Sequence, residues 1–344
     1  MPKARVCIKA GPGQVALDEI DVADPGPGQV LVRATLSTIC GSDIHMVDEI
    51  DEVPAGMPMG HEGCGVVEAV GDGVERFAVG DRVVSSCLLS CGTCARCLAG
   101  DGAICPEMGA PMNLLFGAQS ELYLVAGADY SMTHLIDGAD EHAALLASDV
   151  LSTGFGAIER AGVKAGDSVA IFAQGPVGLC ATIAAKFYGA DPIVAVDGIA
   201  HRRGVAERLG ATHTFSPEDA VGRTSDLTGG MGVDVAVEAL GRQETLDACF
   251  RVTRAGGTVS SVGVYAPLDV VRVPVDDRFY QRSFVTTLCP SGPKRLDWLL
   301  GLVRDGRIDV APLFTHTAAL STIVDAYDRF RRHDDNILKI ALAP

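Results

Sequence analysis

The feature that most constrains this chain is a run of four closely spaced cysteines. Cys91, Cys94, Cys97 and Cys105 follow the spacing C-x2-C-x2-C-x7-C in a polar segment rich in glycine. Four thiolates at this spacing can close a tetrahedral shell around Zn²⁺ without regular secondary structure between them. An iron–sulfur cluster is the alternative, and Cys105-Pro106 is compatible with it. The spacing therefore favours a structural zinc site.

Composition and charge exclude several classes of protein. The chain has 344 residues and a formal net charge of −16, and such a surface repels nucleic acid and anionic membrane. No run reaches the ~18 apolar residues of a spanning helix, and the N-terminus has no apolar export signal. The eleven cysteines are odd in number, which argues against a disulfide framework. We therefore expect a cytoplasmic protein whose partners are neither nucleic acid nor membrane.

The pattern of predicted elements changes near residue 152. Before it, short strand-like runs at 29–37, 63–70 and 81–86 are separated by glycine and proline turns. After it, strands alternate with helices, which predicts a parallel, doubly wound sheet. The strands predicted there are 168–173, 193–196, 233–238 and 257–262. A glycine turn and an apolar helix that ends at Lys186 follow the first strand, and the further helices are 201–209 and 244–252. The C-terminal part is predicted to hold helices at 296–303 and 322–330 and a last strand at 338–342.

A second group of metal-binding residue types precedes the cysteine run. Cys40 and the pair His61-Glu62 offer a thiolate, an imidazole and a carboxylate, which are good zinc ligands. Taken singly, Cys40 could be a small buried hydrophobe and His61 a core histidine. Ser42 and Asp43 could simply cap the start of a helix. Together with the cysteine run, these residues indicate a second metal site.

A glycine-containing turn indicates a dinucleotide site. Ala173-Gln174-Gly175-Pro176-Val177-Gly178 lies between a predicted strand and an apolar helix, where a pyrophosphate meets a helix N-terminus. Ala173 takes the place of the first glycine of the pattern G-x-G-x-x-G. Asp197 ends the next strand, where an acid binds the ribose hydroxyls of NAD and repels the 2′-phosphate of NADP. It could also be a strand-end cap, and the nearby Arg202 and Arg203 keep NADP open.

The motifs together resemble the zinc-containing medium-chain alcohol dehydrogenases over nearly the whole chain. The resemblance implies a GroES-like β-rich catalytic domain, residues 1–152 and 291–344, and a Rossmann cofactor domain, residues 153–290, with a substrate cleft between them. It also implies a homodimer or homotetramer. The matching segments are Cys40-Gly41-Ser42-Asp43-Ile44-His45, Gly60-His61-Glu62, Val79-Gly80-Asp81-Arg82-Val83, the four cysteines and Gly175-Pro176-Val177-Gly178-Leu179.

The same resemblance implies roles for the metal site. Cys40 and His61 would bind a catalytic zinc, and Glu62 would lie beside it. The third ligand varies in the family, and the matching stretch here supplies Asp149, whose alternative role is a helix N-cap. An aspartate at this place is similar to the bacterial secondary alcohol dehydrogenase and formaldehyde dehydrogenase branches. One catalytic and one structural zinc per chain are therefore expected.

Further roles follow from the resemblance for the residues around the reacting atoms. Ser42 and His45 resemble the proton relay of the family, and Asp43 would fix the ring of His61. Val262-Gly263-Val264 would border the nicotinamide. Ile50, Leu115 and Phe116 could line the substrate pocket or belong to the core.

The function implied is hydride transfer between a nicotinamide cofactor, NAD favoured over NADP, and a small, preferentially secondary, alcohol or its carbonyl product. A formaldehyde-dehydrogenase-like or polyol dehydrogenase is an alternative. It ranks lower because the chain is short for the former and has Asp149 where the latter usually has glutamate. A zinc-stapled NAD-binding protein without catalytic activity is a third possibility, against which Cys40, His61 and Asp149 argue together.

Overall fold

Short apolar runs that end at glycine, proline or polar turns form the strands of the first part of the chain, and they appear as such in the computed structural model. The structure describes residues 2–50, 52–110, 113–135, 139–333 and 336–344. The chain divides into two units, Met1–Ser152 with Cys289–Pro344, and Thr153–Leu288. The mixed α/β fold class expected from the sequence is confirmed.

The first unit is built mainly from antiparallel strands. Its strands are β1 (Lys3–Gly11), β2 (Gln14–Asp21), β3 (Gln29–Thr38), β4 (Gly63–Val70), β5 (Arg82–Ser85), β6 (Leu122–Ala126), β7 (Met132–His134), β14 (Phe314–Ala319) and β15 (Lys339–Ala343). Its helices are α1 (Gly41–Asp48), α2 (Ala95–Leu98), α3 (Ala128–Ser131), α4 (Glu141–Ser148), α10 (Pro293–Arg304) and α11 (Ile323–Arg332). Helix α5 (Val150–Arg160) begins at the end of the segment Met1–Ser152 and continues into the second unit.

One seven-stranded sheet organises this unit. Its order is β14-β15-β3-β4-β5-β7, with β6 also paired to β3, while β1 and β2 form a separate hairpin. The last strand, β15, pairs with β3 in an antiparallel register that matches Ala341 to Thr38. The C-terminal strand is thereby held beside the strand that leads directly into Cys40.

The second unit has the alternating pattern that the sequence predicts. Its strands are β8 (Val169–Phe172), β9 (Ile193–Val196), β10 (His213–Phe215), β11 (Val233–Glu238), β12 (Thr253–Ser261) and β13 (Ser283–Thr286). Its further helices are α6 (Pro176–Phe187), α7 (Ala200–Leu209), α8 (Pro217–Leu227) and α9 (Gln243–Val252). All strands are parallel in the order β10-β9-β8-β11-β12-β13. This is the order of a dinucleotide-binding Rossmann sheet, with its switch point between β8 and β11.

Burial explains why several predicted bounds agree with the structure. Strands β9 and β11 have the bounds predicted from sequence because nearly all of their side chains are buried, as they are in parallel strands enclosed on both faces. Strand β12 begins four residues earlier than predicted, at Thr253 instead of Gly257, because Thr253 already pairs with Val233 of β11 before an irregularity that ends at the pair Thr258–Val235. Among the described residues, none of the helices combines the length and apolar composition needed to cross a bilayer.

Candidate functional site

The four cysteines of the glycine-rich loop converge. Cys91 Sγ lies 3.9 Å from Cys97 Sγ, and Cys94 Sγ lies 3.8 Å from Cys105 Sγ. With Zn–S bonds of about 2.3 Å, two sulfurs of a regular tetrahedron are about 3.8 Å apart. The sulfur positions therefore fit a tetrahedral zinc site. Burial opposes the thiolate of Cys91, but the backbone N–H groups of Thr93 and Cys94 outweigh it and lower the pKa of Cys91 to about 6.

A second cluster joins residues that are far apart in sequence. Donor atoms of Cys40, His61, Glu62 and Asp149 all lie within 4.8 Å of one another. Asp149 Oδ2 is 3.5 Å from Cys40 Sγ and 3.4 Å from His61 Nε2. Tetrahedral zinc bound by sulfur, nitrogen and oxygen sets these edges at about 3.6 and about 3.4 Å. The three donor groups therefore fit a zinc ion that has one position left for another ligand.

Local structure explains how the three groups reach this point. Cys40 follows β3 and directly precedes α1, in an extended conformation. His61 lies just before β4, which pairs with β3. Asp149 stands at the junction of α4 and α5, where it ends the first helix and directly precedes Val150, the first residue of the second.

A buried ion pair, supported by a chain of hydrogen bonds, orients the ring of His61. Asp43 Oδ1 lies 3.0 Å from His61 Nδ1, which turns Nε2 toward Cys40 and Asp149. Asp43 Oδ2 accepts from the backbone N–H of Cys40 at 2.8 Å and from Gln119 Nε2 at 3.0 Å. The Tyr327 hydroxyl donates to Gln119 Oε1 at 2.8 Å. Asp43 thus caps α1 and fixes the imidazole at the same time, as such outer partners do around metal ligands.

Neighbouring charged groups shift the pKa values of His61 and Asp149. Burial opposes the imidazolium form of His61, but the Asp43 carboxylate and the hydrogen bonds to Asp149 outweigh burial and raise the pKa of His61 well above its usual value. Burial also opposes the charged form of Asp149, but the hydrogen bond from His61 lowers its pKa. The raised pKa of His61 and the lowered pKa of Asp149 both favour the charged forms, as expected where several carboxylates lie together and attract a cation.

Glu62 is held by a residue that sequence reasoning missed. Lys339, the first residue of β15, places Nζ 2.6 and 2.7 Å from the two carboxylate oxygens of Glu62. Burial would lower the pKa of Lys339, but the Glu62 carboxylate outweighs it and raises that pKa. Glu62 Oε1 is 3.9 Å from His61 Nε2, beside the three donors rather than among the shortest contacts. A lysine inside the apolar sequence Ile337-Leu338-Lys339-Ile340 was a usable signal, because a buried ammonium needs an acid.

The residues predicted for a proton relay both lie on α1. Ser42 Oγ is 3.1 Å from His61 Nε2, so the hydroxyl reaches the same point as the donor groups. His45 Nδ1 is 2.5 Å from Glu49 Oε2, one turn along the helix, and both side chains are partly exposed. His45 therefore lies on the same helix as Ser42 and reaches solvent. Glu49 was not singled out in the sequence.

The three residues that the sequence offered either to a pocket or to the core differ in burial. Leu115 is wholly buried in the core formed with Val32, Val83 and Val125, which is the core alternative. Ile50 and Phe116 are partly buried against a different core cluster. The backbone N–H of Leu115 donates to the carbonyl oxygen of Cys87 at 2.8 Å.

In the second unit, the glycine turn joins β8 to α6. Gly175 precedes the helix and Pro176 occupies its first turn. A side chain at Gly178 would lie 1.9 Å from the carbonyl oxygen of Ala173, so glycine is required there for the turn and helix to pack closely. Ala173 itself has φ of +73°, a left-handed conformation that favours glycine. Alanine thus takes the place of the first glycine of the pattern in the conformation that glycine favours, at an energetic cost.

Asp197 follows the next strand, β9, and contacts this turn. Its Oδ2 accepts from the backbone N–H of Gln174 at 2.7 Å, and its Oδ1 accepts from that of Ile199 at 2.8 Å. Arg202 Nη1 lies 3.9 Å from Asp197 Oδ2, whereas Arg203 Nη1 donates to the backbone oxygen of Asp197 at 2.7 Å. The acid and Arg202 therefore lie at the same corner of the sheet, and Arg203 is directed to the backbone.

Two loops at the carboxyl ends of β11 and β12 pack against each other. A side chain at Gly263 would lie 2.2 Å from the backbone nitrogen of Gly241. Glu238, which is fully buried, accepts from the backbone N–H groups of Leu240 and Gly241 at 2.9 and 2.8 Å. Its other oxygen accepts from the Tyr265 hydroxyl at 3.0 Å. Val262 and Val264 flank Gly263 in the second loop, beside the switch point of the sheet where dinucleotides bind.

Comparison with known proteins agrees with this geometry. The sequence model for the alcohol dehydrogenase GroES-like domain matches residues 26–135, and that for the zinc-binding dehydrogenase matches residues 176–303. An alcohol dehydrogenase of Cupriavidus necator is 37% identical over 100% of this chain and 99% of its own length.

Solved structures extend the similarity to the whole fold. The zinc-dependent alcohol dehydrogenase 2 from Streptococcus pneumonia, in its apo form, has a TM-score of 0.91 and 32% identity, covering 99% of this chain and 98% of its own. A zinc-binding dehydrogenase from Sinorhizobium meliloti 1021, bound to NADP, has a TM-score of 0.84 and 25% identity, with both chains covered completely at 100%.

The two folds and two cysteine-containing clusters define a zinc-type alcohol oxidoreductase. The chain belongs to the zinc-containing medium-chain alcohol dehydrogenase family.

Proposed function

We propose that this protein is a catalytic alcohol dehydrogenase that transfers a hydride between NAD and a small alcohol, with secondary alcohols preferred. The observation that carries the proposal is the arrangement of Cys40, His61 and Asp149: their donor atoms lie within 4.8 Å of one another, and the two separations from Asp149 Oδ2 match edges of a zinc tetrahedron. A structural zinc site has four protein ligands, whereas a catalytic one keeps a position for substrate.

Cys40, His61 and Asp149 would hold a Zn²⁺ ion, which would supply a Lewis acid that polarises the substrate oxygen and favours loss of its proton. Ser42, whose Oγ lies 3.1 Å from His61 Nε2, accepts that proton in the proposed mechanism. His45 passes it to solvent, and Glu49 holds the His45 ring through Nδ1. Asp43 keeps His61 in the orientation that presents Nε2 to the cation. The second cluster, Cys91, Cys94, Cys97 and Cys105, holds a structural zinc ion.

The preference for NAD rests on Asp197. Its carboxylate is anchored by two backbone N–H groups at the end of β9, where the ribose hydroxyls of a dinucleotide lie in Rossmann folds. A fixed negative charge there opposes a 2′-phosphate. The Sinorhizobium protein has a similar fold and binds NADP, so the residues at the end of β9, and not the fold, decide between NAD and NADP. Arg202, close to Asp197, is the residue that would favour NADP instead.

Association into a homodimer or homotetramer is part of the proposal. The segment between β12 and the edge strand β13 exposes several large apolar side chains, and patches of this kind often mark protein–protein contacts. They are Val264, Leu268, Val270, Val273, Val275, Phe279 and Tyr280. A cytoplasmic setting is also proposed, because the eleven cysteines, all among the described residues, form no disulfide.

A screen of alcohol oxidation tests the function. Reduction of NAD and of NADP is followed at fixed cofactor concentration with primary, secondary, aromatic and polyol alcohols. The proposal predicts activity that is highest with a small secondary alcohol and NAD and that a mild chelator removes while the far-ultraviolet circular dichroism spectrum persists. Activity that survives complete removal of zinc contradicts it, and a preference for polyols would move the protein to the polyol dehydrogenases.

A further inference from the structure

Two buried cysteines outside both zinc sites lie beside Asp149. Cys87 follows β5 and Cys289 follows β13, and their side chains are 2% and 4% exposed. The sulfur atoms of Cys87 and Cys289 and an oxygen of Asp149 all lie within 4.8 Å of one another. Neither cysteine belongs to the motifs that carry the family resemblance.

The two oxygens of Asp149 point at different sets of thiols. Oδ2 lies 3.5 Å from Cys40 Sγ, whereas Oδ1 lies 3.6 Å from Cys87 Sγ. A zinc ion bound by one thiolate and one carboxylate oxygen sets their separation at about 3.6 Å. Both oxygens therefore have a thiol at the edge length of a zinc tetrahedron, and a carboxylate can bridge two ions about 3.5–4 Å apart.

Cys289 completes the second set. Its Sγ lies 3.5 Å from the backbone oxygen of Asp149, so it is held on the side of Asp149 that also contacts Cys87. Charge balance favours a divalent cation there, because two thiolates neutralise it. The buried charge of Glu62 is already neutralised by Lys339 and does not enter this balance.

We propose that Cys87, Cys289 and Oδ1 of Asp149 form a second position for a thiophilic divalent cation such as Zn²⁺ or Cd²⁺, which inhibits the enzyme. The inhibitory part rests on the proposed function, in which Oδ2 of Asp149 binds the catalytic zinc. A cation at Oδ1 draws charge from the shared carboxylate and places a second positive charge beside the first. Inhibition then follows from occupancy of the Cys87–Cys289 pair and leaves the catalytic ligands in place.

Metal counting on the intact enzyme tests the binding position. Purified protein is dialysed against buffered low and high free Zn²⁺, and zinc per chain is measured. We expect two ions at low zinc and three at high zinc in the wild type. Cys87→Ala and Cys289→Ala should stop at two, whereas the matched control Cys249→Ala, a buried cysteine of α9, should reach three. A third ion that never binds, or that persists in both variants, overturns the proposal.

Cadmium and activity provide independent measurements. Added Cd²⁺ should raise the total of zinc and cadmium per chain to three and give cadmium–thiolate absorption that both alanine variants reduce. The zinc concentration that halves activity should rise at least tenfold in Cys289→Ala and stay unchanged in Cys249→Ala. Inhibition that is equally strong in Cys289→Ala contradicts the inhibitory role.

The variant Cys40→Ala separates this proposal from the proposed function. If Cys40→Ala keeps the zinc content of the wild type at low zinc, the catalytic site is wrong. The dependence of the third ion on Cys87 and Cys289 is read from the other variants and is not affected by that outcome. Circular dichroism of each variant identifies any protein that has failed to fold.

Discussion

Lys339 Nζ contacts both carboxylate oxygens of Glu62, at 2.6 and 2.7 Å, and both side chains are inaccessible to solvent. The pair joins the start of the C-terminal strand to the residue that follows the zinc-ligand candidate His61. Ion pairs in such surroundings add little net stability, but removing one partner leaves an uncompensated buried charge. Lys339 therefore makes it possible for Glu62 to remain ionised beside the cation site.

The first prediction concerns this pair. Lys339→Met should lower the free energy of unfolding by about 3–5 kcal/mol, because Glu62 loses its partner. The double variant Lys339→Met with Glu62→Leu should recover most of the loss, since no buried charge remains. Urea unfolding at a fixed zinc concentration measures both. A single variant as stable as the wild type, or a double variant no more stable than the single one, would show that Lys339 does not neutralise a buried charge on Glu62.

The second prediction concerns the strained turn at Ala173. An alanine at φ +73° costs about 1–2 kcal/mol relative to its right-handed conformation, a cost that glycine avoids. Ala173→Gly should therefore stabilise the protein by about 1 kcal/mol and leave NAD binding intact. The matched control Ala170→Gly, in the buried strand β8, should destabilise it. Denaturant midpoints decide, and equal losses of stability in both variants would contradict the assignment of strain.

Prediction from sequence succeeded where the signal is local. The strand β4 has the predicted bounds, 63–70, because its apolar run ends at glycine-containing turns. The four cysteines were grouped correctly for the same reason, since their spacing alone brings them together. The acid at the end of β9 was found because its distance from the glycine turn is set by one helix and one strand.

Contacts between distant segments were missed. Gln119 reaches Asp43 across 76 residues of sequence and Tyr327 reaches Gln119 across 208, and neither residue stands in a recognisable motif. Cys289 meets Asp149 after a separation of 140 residues. Such contacts depend on which strands pair, and β15 joins β3 only in the folded unit. Lys339 differs, because a lysine in an apolar strand already implies a buried acid.

The third prediction concerns the choice of cofactor. Asp197→Gly removes the fixed charge at the end of β9 and should move the ratio of kcat/KM for NADP over NAD upward on the order of 100-fold, since a like-charge contact costs several kcal/mol. Asp197→Asn is the control, because it removes the charge and keeps a polar side chain at the same position. Both variants should shift in the same direction. A wild type that already prefers NADP would indicate that Arg202 binds the 2′-phosphate, and it would refute the role of Asp197.

The fourth prediction concerns the proton relay. His45→Gln should slow alcohol oxidation most at low pH, where hydroxide is too scarce to replace the base, by up to about 100-fold. Zinc content and NAD affinity should be unchanged, because His45 is in neither metal cluster. Glu49→Gln should give a smaller change of the same kind. The pH profile of kcat/KM measures the effect, and a profile that superimposes on the wild type would leave His45 as a surface residue of α1.

The most direct test of the central claim is a joint measurement of zinc content and alcohol oxidation in the wild type, Cys40→Ala and Cys249→Ala at low free zinc. The wild type and Cys249→Ala should hold two zinc ions per chain and share one activity. Cys40→Ala should fold and hold one zinc, because three protein ligands become two, and its activity should fall by at least about 1000-fold, the scale of several kcal/mol of charge stabilisation. A Cys40→Ala protein that keeps two zinc ions and its activity would contradict the account.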